Sequence, residues 1–143
     1  MKVPDANLLI HAVDEESPQH RPARDWLDGE LSGGETVAFT WPVLLAFLRL
    51  TTNARVFEQP LGPGEALDIV DGGLGRPTAT VIGPGERHAR LLRELLASSG
   101  TAGNLPGDAH LAATVIEHGA TLCSADRDFA RWSGLRFVNP LDR

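Results

Sequence analysis

Thr121-Leu122-Cys123-Ser124-Ala125-Asp126-Arg127-Asp128-Phe129 runs from a short apolar strand straight into a polar turn carrying two carboxylates. Upstream, residues 104–118 are predicted as a helix, and Gly119 stands where a left-handed cap belongs. Downstream, residues 126–132 read as a short helix and residues 135–138 as a last strand. Helix, strand and helix with almost no connecting chain is the repeating unit of a parallel sheet covered on both faces.

The same alternation extends to the start of the chain. Leu8-Leu9-Ile10 is an apolar run that suits a buried strand passing into a helix or loop. Ser17-Pro18 supplies a cap and a first-turn proline for a helix whose apolar stripe is Ala23, Trp26, Leu27 and Leu31. Gly33-Gly34 ends it, and residues 36–39 form a strand. Thr40-Trp41-Pro42 begins a second helix with an apolar body over 43–50. Gly62-Pro63-Gly64 precedes a third, stopped by Gly72-Gly73. Residues 78–82 alternate as a strand, and Pro84 opens a long amphipathic helix with Ala89, Leu92, Leu95 and Leu96 on one face. The expectation is an α/β protein: a central parallel sheet between two helical layers, with the 143 residues as a single domain spanning 1–143.

Composition narrows the function classes. The lone Cys123 excludes an intrachain disulfide and suits a reducing compartment. Pro4, Asp5 and Asn7 interrupt any apolar core of a signal peptide, and no apolar stretch approaches the ~20 residues of a membrane helix. A soluble, cytoplasmic protein with no membrane partner is expected. The net charge of −6 argues against a generally basic nucleic-acid surface. It is compatible with an acidic metal site. Twelve of the 13 basic residues are arginine, the better bidentate phosphate ligand. There is no G-x-S-x-G, no Walker lysine and no H-E-x-x-H.

In parallel sheets ligands bind at the carboxyl ends of the strands. Asp5 lies in the first strand, Asp108 in the first turn of the helix over 104–118, and Asp126 and Asp128 directly after the strand at Cys123. Taken singly, Asp108, Asp126 and Asp128 are ordinary helix-start acids. Asp5 is harder to dismiss, because an acid in an apolar strand is costly to bury unpaired. A ring of three or four such carboxylates cannot stay ionised together without a cation. Oxygen-only ligands suit Mg²⁺ or Mn²⁺.

Three segments carry a resemblance. Asp5-Ala6-Asn7 is similar to the D-x-N opening of PIN domains. Gly107-Asp108-Ala109-His110-Leu111-Ala112-Ala113 resembles the third-acid helix of that family. Ser124-Ala125-Asp126-Arg127-Asp128-Phe129 resembles its S/T-x-D-x-D-F signature, the most specific of the three. The length suits the VapC toxins of bacterial toxin–antitoxin pairs. The resemblance implies an α/β/α sandwich and a Mg²⁺-dependent endoribonuclease that forms a homodimer and is blocked by a VapB-type antitoxin. Asp5, Asp108 and Asp126 are then the metal ligands, Asp128 a fourth catalytic carboxylate, and Asn7 and Ser124 the groups that position them.

One departure stands out. The family places a Glu on the second helix, where this chain has Phe47, and Glu35 is a poor substitute. That motivates a second reading, a degenerate PIN-like module that binds RNA or protein without cutting. A haloacid-dehalogenase phosphatase needs an Asp where Asn7 stands, and a receiver domain needs a late lysine, whereas Lys2 is the only one. Arg87, Arg90 and Arg93 recur at helical spacing and read as a solvated helix edge.

Overall fold

The computed structural model describes residues 1–142. The elements run β1 (Lys2–Pro4), α1 (Ala6–Val13), α2 (His20–Leu31), β2 (Val37–Phe39), α3 (Trp41–Thr51), α4 (Pro63–Leu74), β3 (Ala79–Val81), α5 (His88–Ser99), α6 (Leu105–Glu117), β4 (Thr121–Cys123) and β5 (Phe137–Val138), with a 3₁₀ helix (Arg127–Arg131) between the last two strands. The five strands form one sheet in the order β3-β2-β1-β4-β5, and every neighbouring pair is parallel. This is the α/β architecture expected from the sequence.

Topology and handedness place the layers. From β1 through β2 to β3 the chain steps in one direction across the sheet, and from β3 it returns past β1 to β4. Right-handed crossovers therefore put α1–α4 on one face and α5–α6 on the other. The helix contacts fall into those two groups, α1 with α2 and α3, α3 with α4, and α5 with α6. The strands between the layers are buried and apolar past their first residues: Val37, Ala38 and Phe39 are all buried, as are Val3, Leu122 and Cys123, while Lys2 and Thr121 open β1 and β4 half-buried. The edge strand β3 is more exposed and correspondingly more polar.

Local chemistry sets the element ends. After α6, Gly119 takes φ +63°, its N–H bonds to Ile116 O and that of Ala120 to Val115 O. This is a Schellman cap, which stops the helix and turns the chain directly into β4. Some boundaries shift from the sequence reading. The helix expected from Pro84 begins only at His88, because the Glu117 carboxylate accepts the N–H groups of Gly85 and Arg87 at 2.7 and 2.9 Å and holds that stretch as a loop. The helix expected after Ser17-Pro18 begins at His20, with Ser17 Oγ accepting from Gln19 N. The helix expected over 126–132 is a 3₁₀ turn of five residues.

Phe47 is 2% exposed and belongs to the core cluster. It lines an apolar cavity of about 60 Å³ with Leu9, Leu31, Phe39 and Leu44. No helix among the described residues is long and apolar enough to cross a membrane.

Candidate active site

The switch in strand order falls between β1 and β4, since the chain leaves β1 towards one edge and β4 towards the other. That is where an open parallel sheet leaves a crevice beyond its strand ends. Asp5 is the first residue past β1, and Asp126 lies three residues past the end of β4.

Asp5 is therefore not in the strand, as the sequence suggested, but is the N-cap of α1. Its backbone is extended (φ −81°, ψ 161°), and its Oδ1 accepts the N–H of Ala6 at 2.8 Å. The strand ladder is completed by its N–H, which donates to Cys123 O at 2.8 Å. One residue thus joins β1 to β4 and starts α1. Its Oδ2 accepts from Ser124 Oγ at 2.8 Å and from Asn7 Nδ2 at 3.4 Å.

Ser124 is 0% exposed and its hydroxyl is saturated. It donates once, to Asp5, and accepts twice, from Asn7 Nδ2 and from the Asp126 N–H, both at 3.0 Å. That is one donor and two acceptor sites, the full capacity of a hydroxyl. Asn7 closes the loop by accepting the Ala125 N–H at 3.1 Å. The two residues expected to position the acids do touch them, one in each segment.

Asp126 caps the 3₁₀ helix by accepting the Asp128 N–H at 2.9 Å. Asp108, in the first turn of α6, is half-buried and receives Asn104 Nδ2 at 3.3 Å. The carboxylates feel one another. Burial first, then the charges of Asp126 and Asp5, push the Asp108 carboxyl up to about 6, with Asp128 adding a little and Arg131 opposing. Burial also raises Asp5, against the hydrogen bonds from Ser124 and Ala6, and Asp126 raises it further. Asp128 is the outermost of the four. Its side chain is 74% exposed and leans towards Arg131 Nη2 at 3.7 Å.

As the side chains stand, no group of three or more His, Cys, Asp or Glu among the described residues closes round a common point. The donor set nevertheless fits a hard cation. It is all oxygen, it is anionic, and its members disfavour one another's charge across three separate segments. Mg²⁺ keeps several waters and needs only one or two carboxylates directly, so a looser acidic cluster suits it.

Other candidates fall elsewhere. Phe47 is packed in the apolar core rather than presented as a polar ligand position. Glu35 bonds the N-terminal amine at 2.9 Å, at the start of β1, the opposite end of the sheet from Asp5. Arg90 and Arg93 are exposed, while Arg87 donates to Glu117 O. His110 turns from Asp108 to His88, with Nδ1 and Nε2 3.0 Å apart. His118 Nε2 meets Gly83 O at 2.9 Å. Cys123 is buried, and its thiol is pushed up to about 12 by that burial, which leaves it inert.

Two residues at the site went unread in the sequence. Asn104 reaches Asp108 across one helical turn, an i,i+4 spacing that was there to be seen. Arg131 stands over Asp128 at an i,i+3 spacing, which the 3₁₀ turn brings into near eclipse.

The PIN domain family model matches residues 2–135. Ribonuclease VapC37 of Mycobacterium tuberculosis is 45% identical over 140 residues, covering 98% of this chain and 97% of its own. Ribonuclease VapC33 of the same species is 40% identical over 141 residues, 99% of each chain. Among solved structures, VapBC2 from Rickettsia felis bound to a promoter DNA fragment superposes with TM-score 0.67 at 21% identity, covering 96% of this chain and 97% of that one. VapBC-1 from nontypeable Haemophilus influenzae gives 0.69 at 14% identity, covering 99% and 98%. At those identities the likeness establishes the fold.

Proposed function

The chain belongs to the PIN-domain family, and from that premise we propose that it is a metal-dependent endoribonuclease, the toxin of a VapBC-type pair, which hydrolyses RNA phosphodiester bonds. What supports the reading is the placement of Asp5 and Asp126 just beyond the neighbouring ends of β1 and β4 at the switch point of the sheet, with the Asp108 carboxyl raised by burial and then by the charges of those two acids.

Asp5, Asp108 and Asp126 would hold Mg²⁺, or Mn²⁺ in its place, and Asp128 would serve as the outer, fourth carboxylate. Such an ion supplies Lewis-acid activation of water and neutralises charge at the phosphate. The protein's own contribution is to fix the acids. Ser124 and Asn7 hold Asp5 Oδ2 in one orientation, and Ser124 also binds the backbone of Asp126. The Asp5 carboxylate therefore cannot turn without breaking its bond to the buried Ser124 hydroxyl, while the Asp126 carboxylate is held by the Asp128 N–H.

The partner in this reading is a VapB-type antitoxin, supported by relatives whose solved structures are VapBC complexes. Its inhibitory element is a cation, best an arginine, set among the carboxylates. The toxin itself is a homodimer, for which Trp41 and Leu45, exposed one turn apart on α3, offer an apolar patch.

Cleavage of a defined RNA pool by partner-free protein, with and without Mg²⁺, tests the proposal. Mg²⁺-dependent products that vanish in Asp5→Asn are expected. Binding without cleavage in either metal would favour the degenerate, non-cutting module.

A further inference from the structure

Four carboxylates face the approach of a polyanion at this site, and among the described residues Arg131 is the basic side chain whose charge acts on Asp108. Arg131 ends the 3₁₀ helix directly above Asp128. Its Nε donates to Asp128 O at 2.9 Å, and its guanidinium lies 5.8 Å from the centre of the Trp132 ring. Trp132 is buried, and its own Nε1 donates to Leu95 O at 3.2 Å, so the ring is a fixed platform. The arginine is thus held at its neck by Asp128 O and lies over the Trp132 ring, with its side chain 37% exposed.

Its remaining donors are open. Within the described residues Arg131 hydrogen-bonds through Nε alone, and the Nη2 contact with Asp128 Oδ2, at 3.7 Å, is too long for a hydrogen bond. The other arginine of the turn, Arg127, is committed to Asp142 at 2.6 Å. Arg131 is also the basic group whose charge opposes the acids at Asp108. A guanidinium so placed presents a rigid fork matched to two phosphate oxygens.

We propose that Arg131 is a substrate-binding residue that grips an RNA backbone phosphate beside the acidic site, through the Nη donors left free above Asp128. This rests on the ribonuclease reading and adds to it the group that offsets the repulsion between the acids and the substrate. A merely structural arginine, stapling the turn to Trp132, is the alternative.

The test measures kcat and KM of the full-length, partner-free protein on a labelled single-stranded oligoribonucleotide in Mg²⁺, across a series of KCl concentrations. Arg131→Gln is expected to raise KM about tenfold at low salt with kcat little changed, and to make the salt dependence of log KM shallower by about 0.7, one single-strand phosphate contact. Arg131→Lys keeps the charge but not the fork, so it should retain the salt slope with an intermediate KM. Arg131→Gln with wild-type KM and slope overturns the proposal. So does a fall in kcat and melting temperature with KM and slope unchanged, which marks a staple. If wild-type protein cleaves no RNA, the ribonuclease reading falls, and this inference with it.

Discussion

Ser124 Oγ donates to Asp5 Oδ2 at 2.8 Å, so two residues 119 apart in the chain fix one carboxylate at the mouth of the sheet. The contact exists because β1 and β4 are neighbours in register, Pro4 opposite Cys123, which sets the residues that follow each strand side by side. Ser124→Ala removes a buried hydroxyl and leaves the Asn7 amide and the Asp126 N–H without their acceptor. A loss of about 1–3 kcal/mol is expected, together with a fall in cleavage. Urea denaturation and initial rates check both. Wild-type stability in the alanine variant would mean that the network is ornamental.

Asp108 makes the metal-free protein sensitive to pH. Its carboxyl is raised from 3.8 to about 6 by burial and by Asp126 and Asp5. A raised acid favours the folded state fully below its unfolded pKa, and that contribution is lost as pH climbs through the folded value. Between pH 4 and 6, in EDTA, wild-type protein should therefore lose stability from this group as pH rises. Asp108→Asn should be flatter over the window and more stable than wild type at pH 7. Melting curves at pH 4.5 and 7 decide it, and parallel behaviour of the two proteins would contradict the raised carboxyl. The variant should also cleave no RNA.

The sheet, the helical layers and the four acids were legible because each has a local signal. The later strands are short runs with their own signal, Gly119 marks a cap, Asp5 and Asp126 sit beyond strand ends and Asp108 in the first turn of a helix. The apolar run Leu8-Leu9-Ile10, by contrast, reads as a strand passing into a helix or loop but lies wholly inside α1, and the first strand is Lys2–Pro4. What was not legible depends on tertiary pairing. Asp5 reads as a strand residue because the strand is only three residues long, and its capping of α1 is set by where Ala6 begins the helix. The loop after Pro84 is held by Glu117, more than thirty positions away, which no window of sequence contains. Arg131 meets Asp128 at an i,i+3 spacing that the sequence does show, but its seat over Trp132, which is itself held by Leu95 O 37 positions away, is a tertiary arrangement.

Phe47 occupies the position where the family pattern puts an acid, but it fills the core beside Leu9, Phe39 and Leu44. Phe47→Glu would place a carboxylate against apolar side chains with no partner among them. The expected result is a loss of at least about 3 kcal/mol, since removing a buried Phe already costs that much and an unpaired polar group adds to it. No gain in Mg²⁺ affinity is expected. Urea denaturation and titration calorimetry measure the two effects. A stable variant with tighter Mg²⁺ binding would show instead that this side chain can swing to the acids.

Asp126 and Asp128 stand two residues apart in one motif yet in different surroundings. Asp126 is half-buried, touches the Ser124 network through its N–H and presses on both Asp108 and Asp5. Asp128 is 74% exposed, its carboxylate lies 3.7 Å from Arg131 Nη2, and its effect on Asp108 is the smallest of those acting there. The two should separate on mutation. Asp126→Asn is expected to lose at least about a hundredfold in Mg²⁺-dependent cleavage, about 2.7 kcal/mol of transition-state stabilisation. Asp128→Asn is expected to lose about tenfold, or about 1.4 kcal/mol. Single-turnover rates at saturating Mg²⁺ give the comparison. Wild-type rates in Asp128→Asn would make it a surface acid and leave a three-carboxylate site, while equal losses in both variants would mean that Asp128 turns inward once substrate is bound.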